Sequence, residues 1–259
     1  MFAKKSLGQN FLMHQQTADR IVHAAELPAD ATVLEIGPGT GMLTRALLAK
    51  GGKVIAVEAD HTLVEGLKET FKRELEEGRL ELMHADIRSF DPSILPQPYH
   101  LVANIPYYIT GEIIRTFLSG SHKPSSMTLL VQKEVAERIV RDPKESLLSL
   151  SVKAYGTPIY RFTVPKGAFK PAPTIDSAVL SITGISGSSF ANEKEESRFF
   201  EILHAGFAHK RKQLAGNLEA ITPKSEVIAA LSELSLLENV RAEDLPLSAW
   251  LALTKALAH

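Results

Sequence analysis

The chain has no cysteine among its 259 residues. Disulfides and thiolate metal sites are therefore excluded, which suits a reducing compartment without requiring one. No apolar run approaches the ~20 residues that a membrane-spanning helix needs. The first ten residues, MFAKKSLGQN, lack the long apolar stretch of a signal peptide. A cytoplasmic protein that makes no membrane contact is expected. Excess charge of one sign is also missing, with 29 Lys and Arg against 30 Asp and Glu. A nucleic-acid partner would have to be held by a local basic patch rather than by the chain as a whole. There is no G-x-S-x-G elbow of a serine hydrolase. The nine histidines are scattered without a pairing such as H-E-x-x-H, so no metal site is expected. No internal repeat or low-complexity tract is present.

What is present is 44% hydrophobic residues, enough for one sizeable core or a core with a small satellite. From about residue 17 to residue 185 helical and strand patterns alternate. Strands are expected at Thr32–Ile36, Lys53–Val57, Leu80–Met83, Leu101–Ala103 and Met127–Val131. Helices are expected at Thr17–Leu27, Met42–Ala49, His61–Glu77 and Gly111–Leu118. Such alternation predicts an α/β fold with a mostly parallel sheet covered on both faces. Two further strands, Ile159–Val164 and Ser177–Ile182, flank a proline-rich loop. Gly184–Ser189 reads as a linker. Beyond it only helices are expected, over Phe199–Leu218, Ser225–Leu237 and Pro246–Ala258. The domains are placed at 1–187 and 188–259.

EIGPGTG (35–41) follows the first of these strands and opens a helix. Glycines at 37, 39 and 41 allow a tight turn and a close backbone approach to a ligand. The third glycine comes one residue earlier than in the dinucleotide fingerprint G-x-G-x-x-G. Glu58, 21 residues after Gly37, ends the next strand, where a carboxylate can accept from both hydroxyls of a ribose. Asp86, after the third, is placed to meet an adenine amino group. This ordered set suits the nucleoside site of an S-adenosylmethionine-dependent methyltransferase better than a nicotinamide site, which the stretch alone leaves open.

VANIPYY (102–108) ends the fourth strand. An exocyclic adenine amine is a poor nucleophile, because its lone pair is delocalised into the ring. Two acceptors aimed at its two N–H bonds would hold the nitrogen in line with a sulfonium methyl and favour pyramidalisation. The Asn104 side-chain oxygen and the Ile105 backbone carbonyl are suited to this. Pro106 fixes φ and stiffens the turn. Tyr107 offers a face on which a flipped-out base can stack.

Lys5-Ser6-Leu7-Gly8-Gln9-Asn10-Phe11-Leu12 resembles the N-terminal motif of the ribosomal RNA adenine N6,N6-dimethyltransferases. EIGPGTGMLT, Glu58, Asp86 and NIPYY follow in that family's order. VQKEVAERI (131–139), VPKGAFKPAPTIDSAV (164–179) and GFAHKRKQLAGNL (206–218) also resemble family segments, so the likeness covers nearly the whole chain. The resemblance implies a Rossmann-like methyltransferase sheet with a small all-helical C-terminal domain that recognises RNA or the ribosome. It implies that Asn10, Leu12, Gly37, Gly39, Glu58, Asp86 and Asn104 bind S-adenosyl-L-methionine. It places Asn104, Ile105, Pro106 and Tyr107 at the target amine, with Phe169 covering the base from the side opposite Tyr107. The family commonly carries a Gly-Arg-Leu-Ser-like stretch where this chain reads Lys144-Glu145-Ser146-Leu147-Leu148-Ser149, without the arginine.

HKRKQLAGNL and RAEDLPLSAWLAL resemble the branch of the family that acts on small-subunit rRNA during 30S assembly. That likeness implies dimethylation of two adjacent adenosines in a hairpin near the 3′ end of 16S rRNA, by a monomer. The alternatives are a large-subunit dimethyltransferase of the antibiotic-resistance type and a mainly non-catalytic assembly factor. Residues 141–175 hold six Lys and Arg (Arg141, Lys144, Lys153, Arg161, Lys166, Lys170) against two acids, and His209–Lys212 is a second basic cluster. Such residues supply phosphate contacts and orientation rather than sequence reading. The low total charge points to a folded ribosomal particle, not bare RNA, as the source of much of the specificity.

Overall fold

The computed structural model describes residues 8–257. Its contacts divide the chain into two compact units. One takes the chain up to Ala136 together with Thr157–Ile185, and the other takes Glu137–Gly156 and everything from Ser186. The chain therefore enters the second unit twice, whereas the sequence suggested a single cut at 187/188.

The first unit is built on nine strands, β1 (Phe11–Leu12), β2 (Thr32–Ile36), β3 (Lys53–Glu58), β4 (Leu80–His84), β5 (Tyr99–Asn104), β6 (Ser126–Gln132), β7 (Thr157–Val164), β8 (Phe169–Lys170) and β9 (Ser177–Thr183). Seven of them form one sheet in the order β4-β3-β2-β5-β6-β9-β7. The first five run parallel, and β9 and β7 complete the sheet antiparallel. The helices between them are α1 (Gln15–Ala24), α2 (Met42–Ala49), α3 (His61–Thr70), α4 (Lys72–Glu76) and α5 (Thr110–Ser119). Val33, Val54, Ala56 and Val102 share one core with Ala18 and Ile21 of α1 and Leu43 and Leu47 of α2. Strand side chains alternate in direction, so Leu34, Ile55, Leu101 and Leu129, also buried, line the other face. A sheet buried on both faces explains the near-continuous apolar strands.

The helix expected over His61–Glu77 breaks at Phe71, whose φ of −115° and ψ of 29° leave the helical region. Phe71 is only 2% exposed, and the Arg45 guanidinium lies 5.5 Å from its ring centroid. Burying that ring takes precedence over helical continuity. The two-residue strands β1 and β8 pair antiparallel, Phe11 with Lys170 and Leu12 with Phe169. No periodicity in the sequence announced them.

The remaining helices are α6 (Lys133–Val140), α7 (Leu147–Tyr155), α8 (Glu193–Gly206), α9 (Leu214–Leu218), α10 (Lys224–Glu233) and α11 (Leu247–Ala256). Of these α7 to α11 belong to the second unit, and α6 runs across the division at 136/137. Tyr155, Phe190, Phe199 and Phe200 form an aromatic cluster there, and Phe207 stacks on Trp250 at 5.7 Å between centroids. The segment that departs from the family pattern is a helix start. Ser146 caps α7 by accepting from the Ser149 N–H, and the Ser149 hydroxyl accepts in return from the Ser146 N–H. The single helix expected over Phe199–Leu218 is interrupted at 207–213, and His209–Gln213 are exposed. The buried Asn217 amide holds this break, donating to the carbonyls of Gly206 at 2.6 Å and His209 at 3.1 Å.

Removing that amide leaves two carbonyls without their donor. Asn217→Ala is expected to destabilise the protein by roughly 1–3 kcal/mol, read as a lowered denaturant midpoint of the helical unit.

Candidate active site

The strand order reverses between β2 and β5, which lie side by side although α2, β3, α3, α4 and β4 separate them along the chain. Their parallel register pairs Ile36 with Ala103, so the turn leaving β2 and the turn leaving β5 emerge together. Ligands of open α/β sheets bind at such a switch point, outside the carboxyl ends of the strands. A cavity of about 1070 Å³, open mouth included, occupies this place. Gly8–Leu12, Gly37–Thr40, Glu58, Asp86, Arg88 and Asn104–Ile109 all contribute to its wall.

Three glycines of the first turn have positive φ, +65° at Gly37, +59° at Gly39 and +80° at Gly41. At Gly39 the reason is also steric, since a Cβ there would lie 2.9 Å from the Phe11 ring. Phe11 thus lies directly against the turn. Beside Gly37, by contrast, no atom comes nearer than 4.0 Å to where a Cβ would be, so a ligand can approach the backbone closely.

Glu58, buried at the end of β3, accepts from the Gly39 N–H at 3.1 Å and the Asp60 N–H at 2.9 Å. Burial raises its pKa, and these two backbone donors work against the rise. Each carboxylate oxygen retains a lone pair for a further donor, as a vicinal diol would supply. Asp86 is placed differently from the simple clamp expected. It caps the turn after β4 by accepting from the Arg88 N–H at 2.9 Å, and the Arg88 side chain chelates it, with Nη2 to Oδ2 at 2.6 Å. The Arg88 guanidinium holds its carboxyl below the usual range.

Asn104 ends β5 and donates through Nδ2 to the Asn10 carbonyl at 2.9 Å, while Asn10 donates to the Gly8 carbonyl at 3.2 Å. One N–H of the amide is thereby tied to the protein, which orients the group and leaves its oxygen as the acceptor. Ile105, 1% exposed, anchors the turn in the core. Pro106 has φ −56°. Tyr107 is half-buried, and its hydroxyl shares a 2.6 Å hydrogen bond with Ser177. Burial raises its pKa, so the phenol stays neutral.

Asn10, Leu12, Gly37, Gly39, Glu58, Asp86, Asn104, Ile105, Pro106 and Tyr107 therefore meet around one cavity. Phe169 does not line it. It is 4% exposed and packs with Leu12, Val164 and Ala168 in the core. Lys5, Ser6 and Leu7 of the N-terminal motif lie outside the described residues. The basic stretch 141–175 belongs partly to each unit, and Arg141, Lys144, Lys153 and Arg161 are ion-paired to Glu137, Glu243, Glu145 and Glu26.

Sequence reasoning gave Glu35 no role. It sits on β2, fully buried, with Thr44 of α2 as the polar group beside its carboxyl. Burial pushes its pKa up to about 8; Thr44 on α2 restrains the rise and the neighbouring Glu58 charge adds to it. At neutral pH it is mainly the neutral acid. The position inside EIGPGTG was visible, but a polar residue in a short strand gives no sign of which face it takes.

A glycine turn, a buried carboxylate at the next strand end and an Asn-x-Pro-aromatic turn at the switch point define the class, an α/β methyltransferase with a nucleoside cofactor. Comparison with known proteins narrows it. A family model of ribosomal RNA adenine dimethylases matches residues 2–259. The chain is 41% identical over 254 residues to a ribosomal RNA small subunit methyltransferase A of Dehalococcoides mccartyi, covering 96% of this chain and 86% of the relative. It is 38% identical to the protein of that name from Deinococcus radiodurans, covering 98% and 85%. Among solved structures, a dimethyladenosine transferase from Plasmodium falciparum matches with a TM-score of 0.79 at 28% identity, over 94% of this chain and 95% of that one. The 23S rRNA methyltransferase ErmE matches with a TM-score of 0.76 at 27% identity, over 96% and 100%. The chain belongs to the ribosomal RNA adenine dimethylases, enzymes that use S-adenosyl-L-methionine.

Glu35 generates a pH test. A carboxyl whose folded pKa lies above its ordinary 4.5 gives full stability at low pH and loses it as pH rises from about 4.5 toward 8, at up to ~1.4 kcal/mol per pH unit. Glu35→Gln is expected to flatten that decline. Denaturant midpoints at pH 5, 6, 7 and 8 for both proteins measure it; parallel slopes would refute the assignment.

Proposed function

We propose that the protein transfers methyl groups from S-adenosyl-L-methionine to N6 of two adjacent adenosines in a hairpin near the 3′ end of 16S rRNA, dimethylating each, during 30S assembly. The observation that carries this reading is the fixed polarity of the Asn104 amide. One of its N–H bonds is tied to the Asn10 carbonyl, which orients the group and leaves its oxygen to accept from the target amine.

The cofactor, when bound, supplies an electrophilic methyl on a positive sulfur. Gly37 and Gly39 give it a backbone floor, Glu58 accepts from the ribose hydroxyls and Asp86 meets the adenine amino group. Asn10 and Leu12 close the methionine end. Asn104 Oδ1 and the Ile105 carbonyl accept the two N–H bonds of the target amine and hold its lone pair toward the methyl. The Pro106 ring keeps the carbonyl that follows Asn104 in place. The Tyr107 ring, tethered at its hydroxyl, stacks on the extruded base. The amine's proton leaves to solvent after transfer, and no strong base is required. Phe169 would have to come out of its packing to cover the other face of the base.

The small-subunit substrate is favoured by the names of the relatives at 38–41% identity, against 27% for the 23S enzyme. The exposed His209–Lys212 loop of the helical unit, with Lys210, Arg211 and Lys212, suits phosphate contacts of the assembling particle. A cytoplasmic monomer is in keeping with this reading, and among the described residues no helix is long and apolar enough to cross a membrane.

The test is methyl transfer from labelled S-adenosylmethionine to undermethylated small subunits and, in parallel, to protein-free small- and large-subunit RNA. Dimethyladenosine in two neighbouring small-subunit residues is expected, with particles preferred over bare RNA. Label confined to large-subunit RNA would assign the protein to the resistance branch, and particle binding without label would make it an assembly factor. Asn104→Ala is expected to lose roughly 100-fold or more of the transfer rate while particle binding is kept. Glu58→Ala is expected to weaken cofactor binding in calorimetry before any RNA is added.

A further inference from the structure

Tyr107 and Tyr108 are consecutive residues of one short turn with opposite surroundings. Tyr107 is half-buried and tethered. Tyr108 lines the same cavity and is 60% exposed. Among the described Phe, Tyr and Trp residues it alone is exposed to this degree. A single exposed apolar residue is ordinary on a protein surface, so what matters here is how this ring is held beside the cavity.

Gly8, with φ +59°, lies against the ring edge, and a Cβ at residue 8 would stand 3.2 Å from two ring carbons. The Gly8 carbonyl is bound by the Asn10 amide, and the Asn10 carbonyl by the Asn104 amide. The ring is thus positioned through the same hydrogen-bonded chain that orients the acceptor for the target amine. Arg88 also lines the mouth, but its guanidinium is committed to Asp86, so the ring and not the cation is the unused group.

We propose that Tyr108 is a stacking platform for the nucleotide that flanks the target adenosine. The inference rests on the RNA-adenine reading above. An adenosine taken into the cavity leaves its neighbour without a stacking partner. An exposed ring at the mouth replaces that partner, and it does so for any base, since every base has a π-face. When the substrate holds two adjacent adenosines, the one awaiting methylation is the base that stacks. The platform then keeps the second target beside the mouth while the first reacts. The phenol hydroxyl has no part in this, so Phe serves as well as Tyr. Leu, which has apolar surface but no π-face, does not.

The experiment compares Tyr108→Phe, Tyr108→Leu and Tyr108→Ala with the wild type, using undermethylated small subunits at saturating cofactor. KM, kcat and calorimetric affinity for S-adenosylmethionine are measured for each. Phe is expected to match the wild type, and Leu and Ala to raise KM about tenfold with kcat within about threefold and cofactor affinity unchanged. A Leu variant as good as Phe would make the ring an ordinary apolar contact and overturn the proposal. So would an Ala variant with wild-type KM, or a loss of cofactor affinity parallel to the rise in KM, which would mean that the Gly8–Asn10 segment had simply collapsed. A wild-type protein that methylates no ribosomal RNA sinks the substrate reading and this inference together. An active wild type indifferent to Tyr108 sinks the inference alone.

Discussion

The parallel pairing of β2 with β5 is the constraint on which the site depends. A shift of one residue in that register would turn Ile36 and Ala103 to opposite faces and separate the glycine turn from Asn104. Apolar residues buried on both faces of the central strands fix the register, because every slip exposes part of the core. The chemistry is therefore positioned by packing. The sheet sets where the two turns emerge, and the turns need only local features, glycines in one and a proline in the other, to present their groups.

The third wall comes from far away in sequence. The segment Gly8–Leu12 reaches the cavity because β1 pairs with β8 and because Asn104 donates to Asn10. One hydrogen bond thus performs two tasks. It anchors the N-terminal wall, and it decides which end of the Asn104 amide faces the ligand. On the proposed reading, such double use ties the cofactor side of the cavity to the target side. It also places Phe169, the partner of Leu12 in β8, in the core next to the wall rather than in the cavity.

Much of this was legible before the fold was seen. Thr32–Ile36 and Met42–Ala49 were read to the residue, because a short apolar run, a glycine turn and a Gly-Gly stop bound them unambiguously. The ordered appearance of EIGPGTG, Glu58, Asp86 and NIPYY at successive strand ends placed the site. What was illegible has physical causes. The two-residue strands β1 and β8 are too short for periodicity and are joined only across the fold. Helix α7 hides in LLSLSVKAY, whose small and apolar residues show no clear polar face, and its serine cap was visible only as a departure from a family pattern. The break at 207–213 depends on Asn217 reaching back to two carbonyls, which no local propensity encodes. Phe71 and Glu35 were recorded as ordinary members of a helix and a motif, since only burial reveals their constraint.

Charge shows how a near-neutral chain can serve an anionic partner. The acids and bases nearly balance, and many of the cations are already committed. Arg88 chelates Asp86, Lys153 is held by Glu145 and Arg161 by Glu26. Behind the cavity wall, burial keeps Glu35 largely neutral, which spares Glu58 a second negative neighbour in a low-dielectric space. Little net field is left to steer RNA from a distance. On the proposed reading, phosphate contacts then belong to small exposed segments such as Lys210–Lys212, and discrimination at the mouth falls to shape and stacking. Neutral, directional contacts of that kind are less screened by salt than phosphate contacts are. On the proposed reading, a protein so arranged gains affinity from the geometry of its partner rather than from its charge, as a folded ribonucleoprotein particle would allow and a flexible RNA would not.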